Sequence, residues 1–293
     1  MSRVILVIGI LKYIGLLGIP ALFSDNMIWK CFALFWLFGI LEIILTLPVL
    51  VQSIKQVIAI PIIYIRYKFK LPDIHSYNPK VLYSLPFKEK WTVINGGVYK
   101  DGSHSWNIHS QRYAYDFLIL DKDGNSAAGD RKRPENYYCY GKDVLAPADG
   151  IVVDLKVNHK DSKIFNYGFM DRAITDIRGN YIIIKHAENE YSCLAHLLPR
   201  SIQVQKGQYV RRGEVIAKCG NSGNSSEPHL HFQIQDRKSF FYSMGLPIYF
   251  TDIHKEAAQN YINFDKRKLP HNTDIGNDKF IHRGLAVSNI NKE

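Results

Sequence analysis

The sequence is poor in cysteine, with 4 in 293 residues and no Cys-x-x-Cys pair. Cys31 sits in an apolar run, while Cys139, Cys193 and Cys219 lie far apart along the chain. This spacing excludes a disulfide framework and a thiolate zinc site, leaving the thiols as small buried hydrophobes. Internal repeats and low-complexity tracts are absent. So are His-Glu-x-x-His, a Walker lysine loop and a Gly-x-Ser-x-Gly elbow, which the GNSGN stretch at 220–224 does not match. Acidic residues are in the minority, 27 against 37 basic ones, giving a net charge of +10. That excess favours anionic surroundings such as lipid headgroups or acidic wall polymers. No basic stripe interleaved with aromatics is found, so nucleic acid is not an expected partner.

Hydrophobic residues make up 46% of the chain and are concentrated at its start. Residues 4–23 form a run long enough to cross ~30 Å of hydrocarbon, interrupted by Lys12. A polar break at Ser24-Asp25-Asn26 precedes a second and stronger candidate span at 31–51, which holds a lone Glu42. The second run, and the lack of a small-residue cleavage site, argue for retained anchors rather than a secretory signal. Residues 57–65 are apolar but short and contain Pro61, which suits an interfacial segment. Residues 1–66 are thus expected to be a membrane anchor with transmembrane helices. Residues 67–90, with Pro72, Pro79 and Pro86, are the expected linker.

From Trp91 the texture changes to short strand-like runs at 113–120, 150–157, 180–186, 191–196 and 229–235, bounded by glycines. No long helical period separates them, so an all-β core with antiparallel pairing is expected over 91–250. Residues 251–293 are expected to be a polar C-terminal tail.

The strongest local signal is Pro228-His229-Leu230-His231-Phe232 after a Gly/Asn/Ser loop. Strand side chains two apart share a face, so His229 and His231 project together while Leu230 and Phe232 enter the core. Two imidazoles on one rigid strand suit a metal. A bare His-x-His is nonetheless more often a pair of histidines satisfied by their neighbours. Asp116, in the apolar run Tyr-Ala-Tyr-Asp-Phe, shifts that balance. A carboxylate buried without a cation or donors costs roughly several kcal/mol. A third feature is His196, at the end of the apolar run 191–197.

Together these pieces resemble the lysostaphin-like, LytM-type zinc metallopeptidases. The resemblance runs from about Gln111 to Ile234. It rests on YAYDF, on VLAPADGIV at 144–152, GNYIIIKH at 179–186, LAHL at 194–197, VQKGQYV at 204–210 and PHLHF at 228–232, in the family's order. It implies an antiparallel β-sheet with an open groove, Asp116 and His231 as zinc ligands, and His196 and His229 as the non-ligand histidines. The latter pair would activate water and stabilise the tetrahedral intermediate, with their division of labour open. The sequence departs from the family at Arg112, where the first ligand is usually a histidine. His104 and His109 are the substitutes. A hairpin centred on Ser110 would set His104 opposite Asp116 and leave His109 at its tip, so His104 is the expected third ligand.

The function implied is a membrane-anchored zinc metalloendopeptidase that hydrolyses peptide cross-links of bacterial peptidoglycan. The alternative is a non-catalytic relative that binds wall peptides or regulates a partner hydrolase, suggested by Arg112. The expected partners are peptidoglycan peptides and the lipid membrane. Two spans would return the chain to one side, and Arg66, Lys68 and Lys70 would make that side cytoplasmic. Wall cleavage instead requires an extracytoplasmic domain on a bacterial cell membrane. That outcome is favoured here, through a single effective crossing.

Overall fold

The computed structural model describes residues 2–165, 170–270 and 279–290. Parts of the expected tail, 271–278 and 291–293, lie outside the described residues. Four helical segments come first. They are α1 (Ser2–Leu11), a 3₁₀ stretch (Lys12–Leu22), α2 (Met27–Ala33) and α3 (Trp36–Arg66). The stretches Val4–Leu22 and Met27–Arg66 are both long and apolar enough to cross a membrane.

These stretches fold back on each other as a hairpin. The turn is set by Asn26, whose side chain accepts a hydrogen bond from the Ile28 amide at 2.9 Å and caps α2. Gly18 allows the two arms to approach closely, because a Cβ there would lie 2.4 Å from the Ala33 backbone nitrogen. Deeper in the hairpin, Lys12 donates to Glu42 at 2.6 Å, so the two charges that interrupt the apolar runs satisfy each other. The two apolar stretches thus pack side by side as one helical hairpin. Residues 57–65 do not form a separate interfacial segment. They continue α3 through Pro61, whose missing amide hydrogen is tolerated within the long helix.

The rest is built on antiparallel strands. In chain order they are β1 (Trp91–Asn95), β2 (Tyr115–Leu118), β3 (Asp143–Leu145), β4 (Gly150–Lys156), β5 (Asn180–Ala187), β6 (Glu190–Leu197), β7 (Tyr209–Val210), β8 (Val215–Lys218), β9 (Leu230–Gln235), β10 (Ile253–Ala257) and β11 (Leu285–Asn289). The main sheet has the order β10-β11-β1-β2-β9-β6-β5-β4-β7, and β3 pairs with β8 in a small second sheet. The five runs expected to be strands all lie in the main sheet. Alternation drives the apolar half of each inward, and Phe117, Leu118, Ile182, Ile184, Leu230 and Phe232 are fully buried.

Two stretches differ from their sequence reading. The expected linker wraps onto the domain. Tyr83, Leu85 and Phe87 are fully buried, and the Tyr77 and Tyr83 hydroxyls donate to the buried Glu190 at 2.5 and 2.8 Å. The expected tail supplies β10 and β11, with Val287 fully buried beside β1. Its polar composition hid the period-two pattern, because β10 lies at the sheet edge and only one side of it meets the core.

Candidate metal centre

β2 and β9 are neighbours, and their register sets Asp116 directly across from His231. On the other side of β9, Ala195 of β6 pairs with His231, which brings His196 to the same end of the sheet. His229 stands just before β9 on the same face as His231. The sheet therefore gathers four of the five expected residues. The fifth, His104, comes from the loop between β1 and β2.

That loop is not a hairpin about Ser110. β1 itself pairs with β2 and places Asn95 opposite Asp116, while residues 96–114 make an excursion with a 3₁₀ turn at His109–Gln111. Arg112 holds the excursion together. Its Nε donates to the Trp106 carbonyl at 3.1 Å, its guanidinium lies over the Trp106 ring, and its own carbonyl accepts from the Ser103 hydroxyl at 2.9 Å. The arginine at the usual ligand position thus fixes the loop that delivers His104. His109 points elsewhere: it is buried edge-on against Tyr64 of α3, with ring centroids 4.9 Å apart.

At the centre, Asp116 is 5% exposed. Its Oδ1 lies 3.0 Å from His231 Nδ1 and 3.7 Å from His229 Nε2, and its Oδ2 lies 3.4 Å from His104 Nδ1. One donor atom each from His104, Asp116 and His231 falls within 4.8 Å of the others. A carboxylate oxygen and a ring nitrogen at such separations repel unless a cation, a proton or a metal, lies between them.

The hydrogen bonds around the rings decide which nitrogens face that point. His231 Nε2 lies 3.0 Å from Gln233 Oε1. Gln233 is oriented in turn, since its Nε2 donates to the Ser110 carbonyl at 3.0 Å and to Gln235 Oε1 at 2.7 Å. A neutral His231 that donates from Nε2 to Gln233 turns its Nδ1 lone pair toward Asp116. His196 Nδ1 donates to the Ser222 carbonyl at 2.8 Å, and His229 Nδ1 donates to the Glu227 carbonyl at 2.8 Å. Both then present Nε2 away from these backbone partners. Such outer partners fix the tautomer and aim of ligating and catalytic histidines. His196 is held in the left-handed region at φ +60, where the chain leaves β6.

Electrostatics agree with the geometry. Burial would raise the Asp116 carboxyl, but His104, His231 and His229 together hold it well below the usual carboxylate range. Burial pushes His231 down, and Asp116 outweighs it, so the ring is raised. His196 is pushed well below the ordinary histidine range by burial and then by its histidine neighbours. His104 is lowered by burial against the pull of Asp116. Two imidazole nitrogens and a carboxylate are a donor set that fits zinc.

The centre opens into a cleft of about 500 Å³, whose lining also includes Gln56, Glu227 and Arg267. Several of these supports were not singled out from the sequence. Gln233 was within reach, because it continues the His229, His231 period by one more step. Asn95, which donates to Asp116 Oδ2 at 3.1 Å, and Arg267, which donates to Asn95 Oδ1 at 2.8 Å, carry no local signal.

Residues 137–241 match the model of Peptidase family M23. The chain therefore carries a domain of that family. The match includes His196, His229 and His231, whereas His104 and Asp116 lie before its first residue. Among curated relatives, the chain is 35% identical over 83 residues to the peptidoglycan DD-endopeptidase ShyA of Vibrio cholerae, covering 28% of this chain and 19% of that protein. It is 43% identical over 56 residues to the peptidoglycan DD-endopeptidase ShyB of the same organism, covering 19% and 13%. The chain thus spans less than a fifth of the length of these two relatives. Among solved structures, the catalytic domain of lysostaphin from Staphylococcus simulans aligns at 21% identity, over 54% of this chain and 88% of that one, with a TM-score of 0.30.

Proposed function

We propose that the chain is a membrane-anchored zinc endopeptidase that cuts peptide cross-links of bacterial peptidoglycan. The observation that carries this reading is the convergence of His104, Asp116 and His231 on one point, with His196 and His229 beside it. In this reading the first three hold zinc. When bound, zinc supplies a Lewis acid for the scissile carbonyl and for water.

The protein's own part is proton handling and placement. His196 and His229 lie with ring centroids 4.7 Å apart, each with Nδ1 tied to a backbone carbonyl. In their neutral forms both offer an Nε2 lone pair to the cleft, so either is able to accept a proton from the attacking water. The ring that takes the proton becomes a donor to the developing oxyanion or the leaving amine. Burial keeps His196 neutral until then.

Curated relatives named as peptidoglycan DD-endopeptidases support wall peptides as the substrate class. The non-catalytic alternative rested on Arg112, and that residue has a structural task of its own in the loop carrying His104. We place the domain on the extracytoplasmic side of a bacterial cell membrane, where its substrate lies. Arg66, Lys68 and Lys70 favour the opposite side by the positive-inside bias, and the substrate argument is given the greater weight.

The test is cleavage of purified peptidoglycan by the full chain in detergent. New amine termini should appear, stop with a chelator, and return with added zinc. His196→Ala and His229→Ala should each lower kcat by about 10²- to 10⁴-fold. A zinc-loaded chain that releases nothing would leave only the binding role.

A further inference from the structure

The anchor helix is also a wall of the cleft. Helix α3 spans 31 residues, and the apolar stretch it completes runs 40 residues, from Met27 to Arg66. At 1.5 Å per residue that is roughly twice the length needed to cross a bilayer. The second half docks on the β-domain. Ala59 and Ile63 are buried against Val98, Tyr113 and Met244, and Arg66 donates to the Tyr242 carbonyl at 3.0 Å. One helical turn above Gln56, the Gln52 amide donates to the Thr175 carbonyl at 2.8 Å and accepts from the Ile177 amide at 2.9 Å. Residues 53–58 are thereby clamped at both ends.

Between these clamps, Val49, Ser53 and Gln56 follow one another at spacings of four and three, which puts them on one helix face. All three line the cleft that holds the metal centre. Gln56 Nε2 is buried and, among the described residues, has no hydrogen-bond partner. Because Gln56 lines the cleft and its Nε2 makes no hydrogen bond within the described protein, a rotation of the side chain would turn this donor toward a ligand without breaking a bond. The Ser53 hydroxyl donates to the Val49 carbonyl at 3.1 Å, which leaves its lone pairs able to accept.

We propose that Gln56 is a substrate-binding residue, donating its side-chain amide to a backbone carbonyl of the peptide in the cleft, with Ser53 accepting from a peptide N–H. This rests on the endopeptidase reading and goes beyond it. Peptide binding then requires the membrane helix as well as the β-domain. Cleavage is confined to peptide that reaches the membrane surface.

The experiment measures KM, kcat and zinc content for the full chain in detergent, with soluble cross-linked peptidoglycan fragments as substrate. Gln56→Ala should raise KM about five- to tenfold while kcat stays within about twofold and zinc content is unchanged. The isosteric Gln56→Glu, which cannot donate, should raise KM at least as much. Val57→Ala, on the outer face of α3, should match the wild type. Unchanged KM in both Gln56 variants would overturn the proposal while leaving the peptidase reading intact. Loss of zinc together with kcat would overturn it too, by making Gln56 a structural support. A zinc-loaded wild type with no cleavage removes the peptidase reading and this proposal with it, and is seen before any variant is made.

Discussion

The anchor and the β-domain use the same apolar residue types in opposite directions. On α3, Ile44, Val57 and Ile65 are 60%, 66% and 68% exposed, while in the sheet Ile182, Ile184 and Phe232 are fully buried. One set faces outward from the protein, and the other packs into a dry core around a polar centre. The two regimes meet along the inner face of α3, where Glu42, Gln52 and Gln56 interrupt the apolar surface. The lesson is that a polar residue inside an apolar helix marks a contact. Glu42 answers Lys12 and also accepts from Arg172 at 2.7 Å, and Gln52 answers the backbone of the β-domain.

The contrast is sharpened most by removing a charge from the centre. Asp116→Ala should abolish stoichiometric zinc and lower peptide cleavage by more than about 10³-fold, read by metal analysis and kinetics. A smaller effect separates the two candidate third ligands. His104→Ala should weaken zinc binding by about 10- to 100-fold, whereas His109→Ala, whose ring packs on Tyr64, should leave zinc affinity unchanged. Packing is the next test. Phe232→Ala should cost the β-domain about 3–5 kcal/mol, and Ile44→Ala should barely move the same unfolding transition in detergent. Equal losses in the two would erase the distinction between core and lipid face.

The smallest effect concerns pH. His186 is pushed down to about 4, by burial first, while its ring lies between the Asp149 carbonyl and the Ser192 hydroxyl. The unfolded ring takes up a proton below about 6.5, and the folded ring resists until about 4. Its contribution is complete above pH 6.5, declines between 6.5 and 4, and reaches at most roughly 3 kcal/mol, reduced by partial exposure of the ring. Denaturant unfolding across that range should show a shallower decline in His186→Gln than in the wild type. Parallel profiles would exclude the residue as the source.

Much of the β-domain was legible because alternation is a local signal. YAYDFLIL, GNYIIIKH and PHLHF each carry their burial pattern in their own residues. The Asp116–His231 pairing was legible only through the family resemblance, since strand register is set by contacts 115 residues apart in sequence. His104 required choosing between two loop histidines. His104 stands 3.4 Å from Asp116 by a different backbone path, because Arg112 and Trp106 brace an irregular loop where a hairpin was expected. The C-terminal strands were missed because the edge strand β10 is largely polar and β11 is a short run set in a polar stretch, and Arg267 reaches the cleft from a segment with no motif. The extent of α3 was missed because Pro61 reads as a helix breaker in water, while a long apolar helix tolerates it.

The central claim is that side chains from a loop and two neighbouring strands grip one zinc ion. The most direct measurement is anomalous diffraction at the zinc edge on crystals of the full chain. The expected result is a single peak bonded to His104 Nδ1, an Asp116 oxygen and His231 Nδ1. A peak held by other residues, or none at this point in zinc-loaded crystals, would contradict the account.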